Sequence, residues 1–164
     1  MSELSTSFPK AILKKHVKAV DGISRWVDID TLELAEDRKI VVFGLPGAFT
    51  PTCSAKHMPG FVEYESDIKA RGIDEIICVS VNDAFVMQAW EKDQNSKGKV
   101  TLFADGNGDF TSALGLELDG TGYGLGKRSQ RFAMIVQDGV IEHLKVEEGP
   151  GIDVSSAESI LALL

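Results

Sequence analysis

Apolar residues gather into three short runs, at 40–45, 76–81 and 100–103, each of strand length and followed by polar or turn-forming residues. Continuous rather than alternating hydrophobicity marks strands covered on both faces. Between the runs the period changes. Phe61, Tyr64 and Ile68 recur at helical spacing in an element that Gly72 ends. Asp83 is placed to cap a second helix carrying Phe85, Ala89 and Trp90 on one face. Pro59 falls inside the first helix, where it cannot donate a hydrogen bond, and this predicts a kink near Met58.

The flanks read less sharply. Residues 1–9 are polar and expected to be loosely held. Residues 11–30 mix Ile12, Leu13, Val17 and Val20 with Lys14, Lys15 and Lys18, the pattern of edge strands in a hairpin turning at Asp21-Gly22. A helical turn over 31–36 follows, capped by Asp30 or Thr31. Beyond the third run come a turn at 105–109, a short helix over 110–114 and a long loop marked by glycines at 115, 120, 122, 124 and 126. Segments 131–137 and 140–146 form a hairpin about Asp138-Gly139, and Ser155 with Glu158 reads as the capping box of a last helix. The expected class is α/β, a central mixed β-sheet flanked by helices with an N-terminal hairpin, in one domain over 1–164.

Composition narrows the function. A net charge of −8 argues against non-specific nucleic-acid binding, which needs a basic footprint. Two cysteines are too few for a disulfide scaffold, and their spacing fits no zinc motif. No apolar run approaches the roughly 18 residues of a membrane span, and the N-terminal residues lack a signal-peptide pattern. A reducing, cytoplasmic setting is the resulting expectation.

The chemistry concentrates in residues 43–60. The apolar run at 40–45 feeds a turn at Pro46-Gly47, and Thr50 then stands as N-cap with Pro51 at the first helical position. Cys53 falls in the first turn, where free N–H groups and the positive helix end favour an anion. The anionic thiolate is the reactive form of cysteine. The pattern Pro46-x-x-x-Thr50-x-x-Cys53 resembles the peroxidatic motif of the peroxiredoxins. The longer run over 46–61 is similar to the type II, or peroxiredoxin-5, branch. The resemblance extends through 80–85 and Arg131-Phe132. It implies a thioredoxin-like fold, with which the order of elements agrees.

By that resemblance Cys53 is the nucleophile, the Thr50 hydroxyl bonds the peroxide and the sulfur, Pro46 shields the site from water, and Arg131 presents its guanidinium to the thiolate. Arg131 is preferred to Arg128 because Phe132 follows it. Cys78 lies within an apolar strand, where a small buried residue is the plain explanation; the rival reading makes it a resolving cysteine. His57 stands four residues after Cys53 and suits packing better than base catalysis, while His16 and His143 carry no pattern. Asp105-x-Asn107-x-Asp109 opens like a calcium loop but has Phe110 where glycine is required. A disulfide oxidoreductase would need C-x-x-C, which is missing around Cys53.

The expected activity is thiol-dependent reduction of hydrogen peroxide and small alkyl hydroperoxides through a Cys53 sulfenic acid. Some relatives resolve this acid with a cysteine near the C-terminus, and residues 149–164 contain none. An external thiol is then expected as reductant, either glutathione with glutaredoxin or thioredoxin. The resemblance also implies a homodimer through the surface near 46–49, with no metal or organic cofactor.

Overall fold

The computed structural model describes residues 7–18 and 21–164. Its main sheet has seven strands in the order β2-β1-β5-β4-β3-β8-β9. β3 (Lys39–Leu45), β4 (Glu75–Ser80) and β5 (Thr101–Ala104) run parallel at the centre, where the three apolar runs predicted them. Against β3 lies antiparallel β8 (Phe132–Gln137), followed by β9 (Val140–Val146). At the other side the hairpin of β1 (Ile12–Lys18) and β2 (Ser24–Asp30) closes the sheet. Ala19 and Val20, which the sequence places between these strands, lie outside the described residues.

Both faces of the central strands are covered, which is why their hydrophobicity is continuous. Val41, Phe43 and Leu45 enter one core with Cys78, Phe61, Ile68 and Trp90. Ile40 and Val42 enter the other with Ile77, Phe103, Phe110 and Met134. The first core is covered by α2 (Met58–Glu63), α3 (Glu65–Ala70), α4 (Ala84–Asp93) and α6 (Ala157–Leu161). The second is covered by α1 (Thr31–Ala35), capped by Asp30, and α5 (Asp109–Leu114).

Several expectations are corrected. Residues 1–6 lie outside the described residues, but Phe8 is not loose: its N–H donates to the Gly139 carbonyl at 2.9 Å and its ring packs edge-on against Phe110. The buried face of α4 is Ala84, Met87 and Trp90. Phe85 and Ala89 are exposed, and Phe85 instead joins an aromatic group with His16 and Trp26 of the hairpin. The glycine-rich loop contains a small ribbon, β6 (Glu117–Asp119) against β7 (Lys127–Ser129). α6 is capped by Ser156, whose hydroxyl accepts from the Ser159 N–H, because the Ser155 hydroxyl is donated to Glu147.

The departure from α geometry ends immediately before Met58, where Pro59 was expected to disturb the helix. The segment Cys53–His57 is a π-helical turn, in which the Met58 N–H reaches the Cys53 carbonyl. Widening this turn accommodates a proline that cannot donate to the ordinary partner four residues back. Trp90 then anchors the turn through Nε1–H to the Ser54 hydroxyl at 3.0 Å.

Gly44 is required by close approach, since a Cβ there would overlap the Phe132 ring in the neighbouring strand. Gly44→Ala is expected to cost about 1–3 kcal/mol through overpacking. A denaturant midpoint equal to that of the parent protein would contradict this packing constraint.

Candidate active site

The C-terminal end of β3 delivers the chain into the Pro46-Gly47 turn, which two side chains fasten. Asn82, just beyond β4, accepts the Ala48 N–H at 3.0 Å and the Ser80 hydroxyl at 2.7 Å. Arg128 donates to the Val81 carbonyl at 3.1 Å and to the Leu125 carbonyl at 2.9 Å, tying the ribbon to the same corner. It is therefore a brace rather than the solvated charge its sequence surroundings suggest. A Cβ on Gly47 would stand 3.1 Å from the Arg128 guanidinium. Phe49 next adopts φ +63°, a costly conformation for a bulky residue, and leaves its ring 51% exposed.

Thr50 does start the helix, since its carbonyl accepts the Ser54 N–H at 3.0 Å. Its side chain does not cap. The hydroxyl donates back to the Gly47 carbonyl at 2.6 Å. That commits the only hydroxyl proton and leaves the oxygen free to accept. Pro46 is half-buried and lines the adjoining cavity.

Cys53 is fully buried, and Arg131 is only 6% exposed. One guanidinium nitrogen of Arg131, Nη2, donates to Cys53 Sγ at 3.3 Å, while Nη1 lies 2.9 Å from His57 Nδ1. Arginine cannot accept, so Nδ1 must. His57 Nε2 is 2.9 Å from the Ser155 carbonyl, which can only accept, so the proton resides on Nε2. His57 is thereby fixed as the neutral Nε2–H tautomer. Burial and the adjacent Arg131 charge push its pKa down from 6.5 to about 4, against the opposing pull of the Ser155 carbonyl and Glu147.

The network continues into the segment before α6. Glu147 accepts the N–H groups of Asp153 and Ser155 at 2.8 and 2.9 Å, a longer one from Val154, and the Ser155 hydroxyl at 2.6 Å. Burial raises this carboxyl, but the hydrogen bonds outweigh burial and leave it below its ordinary value. Sequence reading missed Glu147, Ser155 and Arg128 as parts of the site's scaffold. Their partners are carbonyls and N–H groups brought near by folding, and no short-range pattern announces them.

Cys78 lies in the middle of β4, between Phe43 of β3 and Leu102 of β5, and is fully buried. Burial pushes its thiol well up, Cys53 adds to the rise, and Arg131 opposes it. Both cysteines are free.

The Redoxin family profile matches residues 24–161. Peroxiredoxin-2B of Arabidopsis thaliana is 52% identical over 80% of this chain and 81% of its own length. This chain belongs to the peroxiredoxins. Chloroplastic Peroxiredoxin-2E of the same plant is 51% identical over 80% of this peroxiredoxin, which spans 57% of that longer protein. A crystal structure of reduced Prx3 from Vibrio vulnificus in complex with hydrogen peroxide is 45% identical. It superposes with a TM-score of 0.89 and full coverage of both chains. The fold is therefore the thioredoxin fold of this family, and the protein is a thiol-dependent peroxidase.

Because the folded protein holds His57 neutral, the unfolded chain binds one more proton between pH 6.5 and about 4. Stability must therefore fall as pH drops through that window, by up to about 3 kcal/mol. His57→Gln should flatten this slope in urea titrations across the same range. An unchanged slope would show that another group carries the pH dependence.

Proposed function

We propose that Cys53 is the peroxidatic nucleophile and that Thr50, Arg131 and Pro46 form the peroxide site around it. One observation carries the reading. Arg131 Nε is a buried donor with no hydrogen-bond partner, on the same guanidinium that reaches Cys53 Sγ. A buried donor left unpaired costs about 1–3 kcal/mol, so an oxygen-bearing ligand gains by supplying the partner. A peroxide oxygen meets that need. The Thr50 lone pairs can accept the substrate O–H, since the hydroxyl proton is already given to Gly47.

In the reaction the thiolate sulfur attacks the terminal oxygen. An S–O bond forms, the O–O bond breaks, and the departing alkoxide or hydroxide takes a proton to become alcohol or water. Sulfur is oxidised to the sulfenic acid. A free cysteine of pKa near 8.5 is already about 3% thiolate at pH 7. Complete ionisation therefore gains about 30-fold, or about 2 kcal/mol. The rest of a fast rate has to come from orienting and polarising the O–O bond, which we assign to Thr50, Arg131 and the Cys53 N–H.

Regeneration falls to an external thiol, glutathione with glutaredoxin or thioredoxin. That thiol displaces water from the sulfenic acid to form a mixed disulfide, and a second thiol releases Cys53. The depth of Cys78 in the sheet supports a structural rather than a resolving role. Two free thiols suit a reducing compartment, the cytoplasm in this reading. We also assign a homodimer to the surface near 46–49, on the strength of the exposed and strained Phe49.

Intact mass after one equivalent of hydrogen peroxide, with a sulfenic-acid trap present, should show one adduct on Cys53. Loss of two hydrogens without an adduct would make Cys78 the resolving partner, and no change would sink the nucleophile assignment. Thr50→Val should lose about 10²–10³-fold in peroxidase rate while iodoacetamide alkylates Cys53 at the parent rate. Equal losses in both assays would mean that the threonine serves the thiol alone. Phe49→Asp should convert a dimer to monomer in sedimentation velocity, and a parent monomer would refute the interface.

A further inference from the structure

The cavity leading to Arg131 holds about 470 Å³. Hydrogen peroxide needs only slightly more than the roughly 30 Å³ share of a water molecule. The β6–β7 ribbon and the link between its strands supply Leu118, Tyr123 and Leu125 to the lining, and Pro150 adds a further apolar surface. Tyr123 is 88% exposed, so the aromatic ring stands at the rim while Arg131 lies at depth. Such a lining accommodates a carbon body attached to the reacting oxygens.

Charge at the same mouth is of one sign. Glu147 and Glu148 both line the cavity. Glu147 is engaged with the 153–155 backbone, but Glu148 is exposed and has neither a hydrogen bond nor an ion pair among the described residues. Arg131 is the only cationic lining residue among the described residues, and both of its terminal nitrogens are already directed at Cys53 and His57. An incoming anion therefore meets the exposed carboxylate of Glu148, on a chain of net charge −8, at the approach to the buried guanidinium. Low-dielectric clefts concentrate this effect on approach rates.

We propose that this cavity selects uncharged organic hydroperoxides against anionic ones, and that Glu148 is the residue that sets the selection. The inference rests on the Cys53 peroxide site proposed above. Glu148 touches no reacting atom; it acts on which substrates arrive. Its removal leaves the rate with hydrogen peroxide, which carries no charge, where it was.

The test pairs cumene hydroperoxide with its para-carboxylate analogue, so that the apolar body is constant and only charge differs. Second-order rates are measured at low salt for the parent, Glu148→Gln, Glu148→Lys and Glu36→Lys. The last makes the same net-charge change as Glu148→Lys at an exposed position that does not line the cavity. The parent should prefer the neutral substrate, and Glu148→Gln should cut the preference by about 5-fold at low ionic strength. Glu148→Lys should cut it further, Glu36→Lys should leave it, and about 0.5 M salt should narrow it in the parent. Normal hydrogen peroxide turnover with an unmoved ratio in Glu148→Lys, or an equal shift in Glu36→Lys, would overturn the selection alone. Absence of hydrogen peroxide turnover in the parent would overturn the peroxide site and the selection together.

Discussion

A guanidinium buried between a sulfur and a neutral imidazole organises this protein. Arg131 cannot shed its charge, and burying a cation is tolerable only where acceptors surround it. Cys53 Sγ supplies one acceptor and His57 Nδ1 another. The second is available only because the Ser155 carbonyl holds the imidazole proton on the opposite nitrogen. Ser155 is in turn held by Glu147. The orientation of one donor at the sulfur thus depends on a loop 98 residues along the sequence from the histidine it holds. Strand β8, the π-helical turn and the segment before α6 have to be built together for the site to exist.

The turn itself shows how local and distant constraints combine. Pro59 removes a hydrogen bond, and the chain answers by widening the preceding turn. Phe43, Phe61 and His57 pack ring against ring below that turn, with the two phenyl rings stacked 4.1 Å apart. His57 therefore has an apolar flank and a polar edge, and both are used. Its burial, which favours the neutral form, is the same burial that fills the core under Cys53.

Much of this was legible in the chain. The central strands announced themselves through continuous hydrophobicity, and Asp138-Gly139 marked a hairpin that the structure contains, both residues having positive φ. The pairing of Arg131 with Cys53, 3.3 Å apart in the fold, was readable because the motif around Cys53 and the Arg131-Phe132 pair lie in local sequence. What failed was whatever depended on competition. Ser155 and Glu158 spell a capping box, yet Glu147 takes the Ser155 hydroxyl and the cap moves to Ser156. Phe85 has helical spacing with Ala89, but the hairpin offered its ring a better neighbour in Trp26 than the core did. Thr50 has the composition of a cap and spends its proton on the turn before it.

Cys78 gives the molecule a second, independent timer. Its thiol is buried in the core between the sheet and α2, α3 and α4, and that burial also raises its pKa. Reagents can reach it only in molecules whose core beneath these helices has opened, so its labelling rate is the reagent's intrinsic rate scaled by the population of the opened state. Cys53 is equally buried, but its neighbours Thr52 and Arg131 line a cavity at the end of the same sheet, so opening of that corner alone would expose it. A single chain with two thiols at these depths reports, in one mass spectrum over time, how far the opening of the reactive corner is decoupled from the opening of the whole fold.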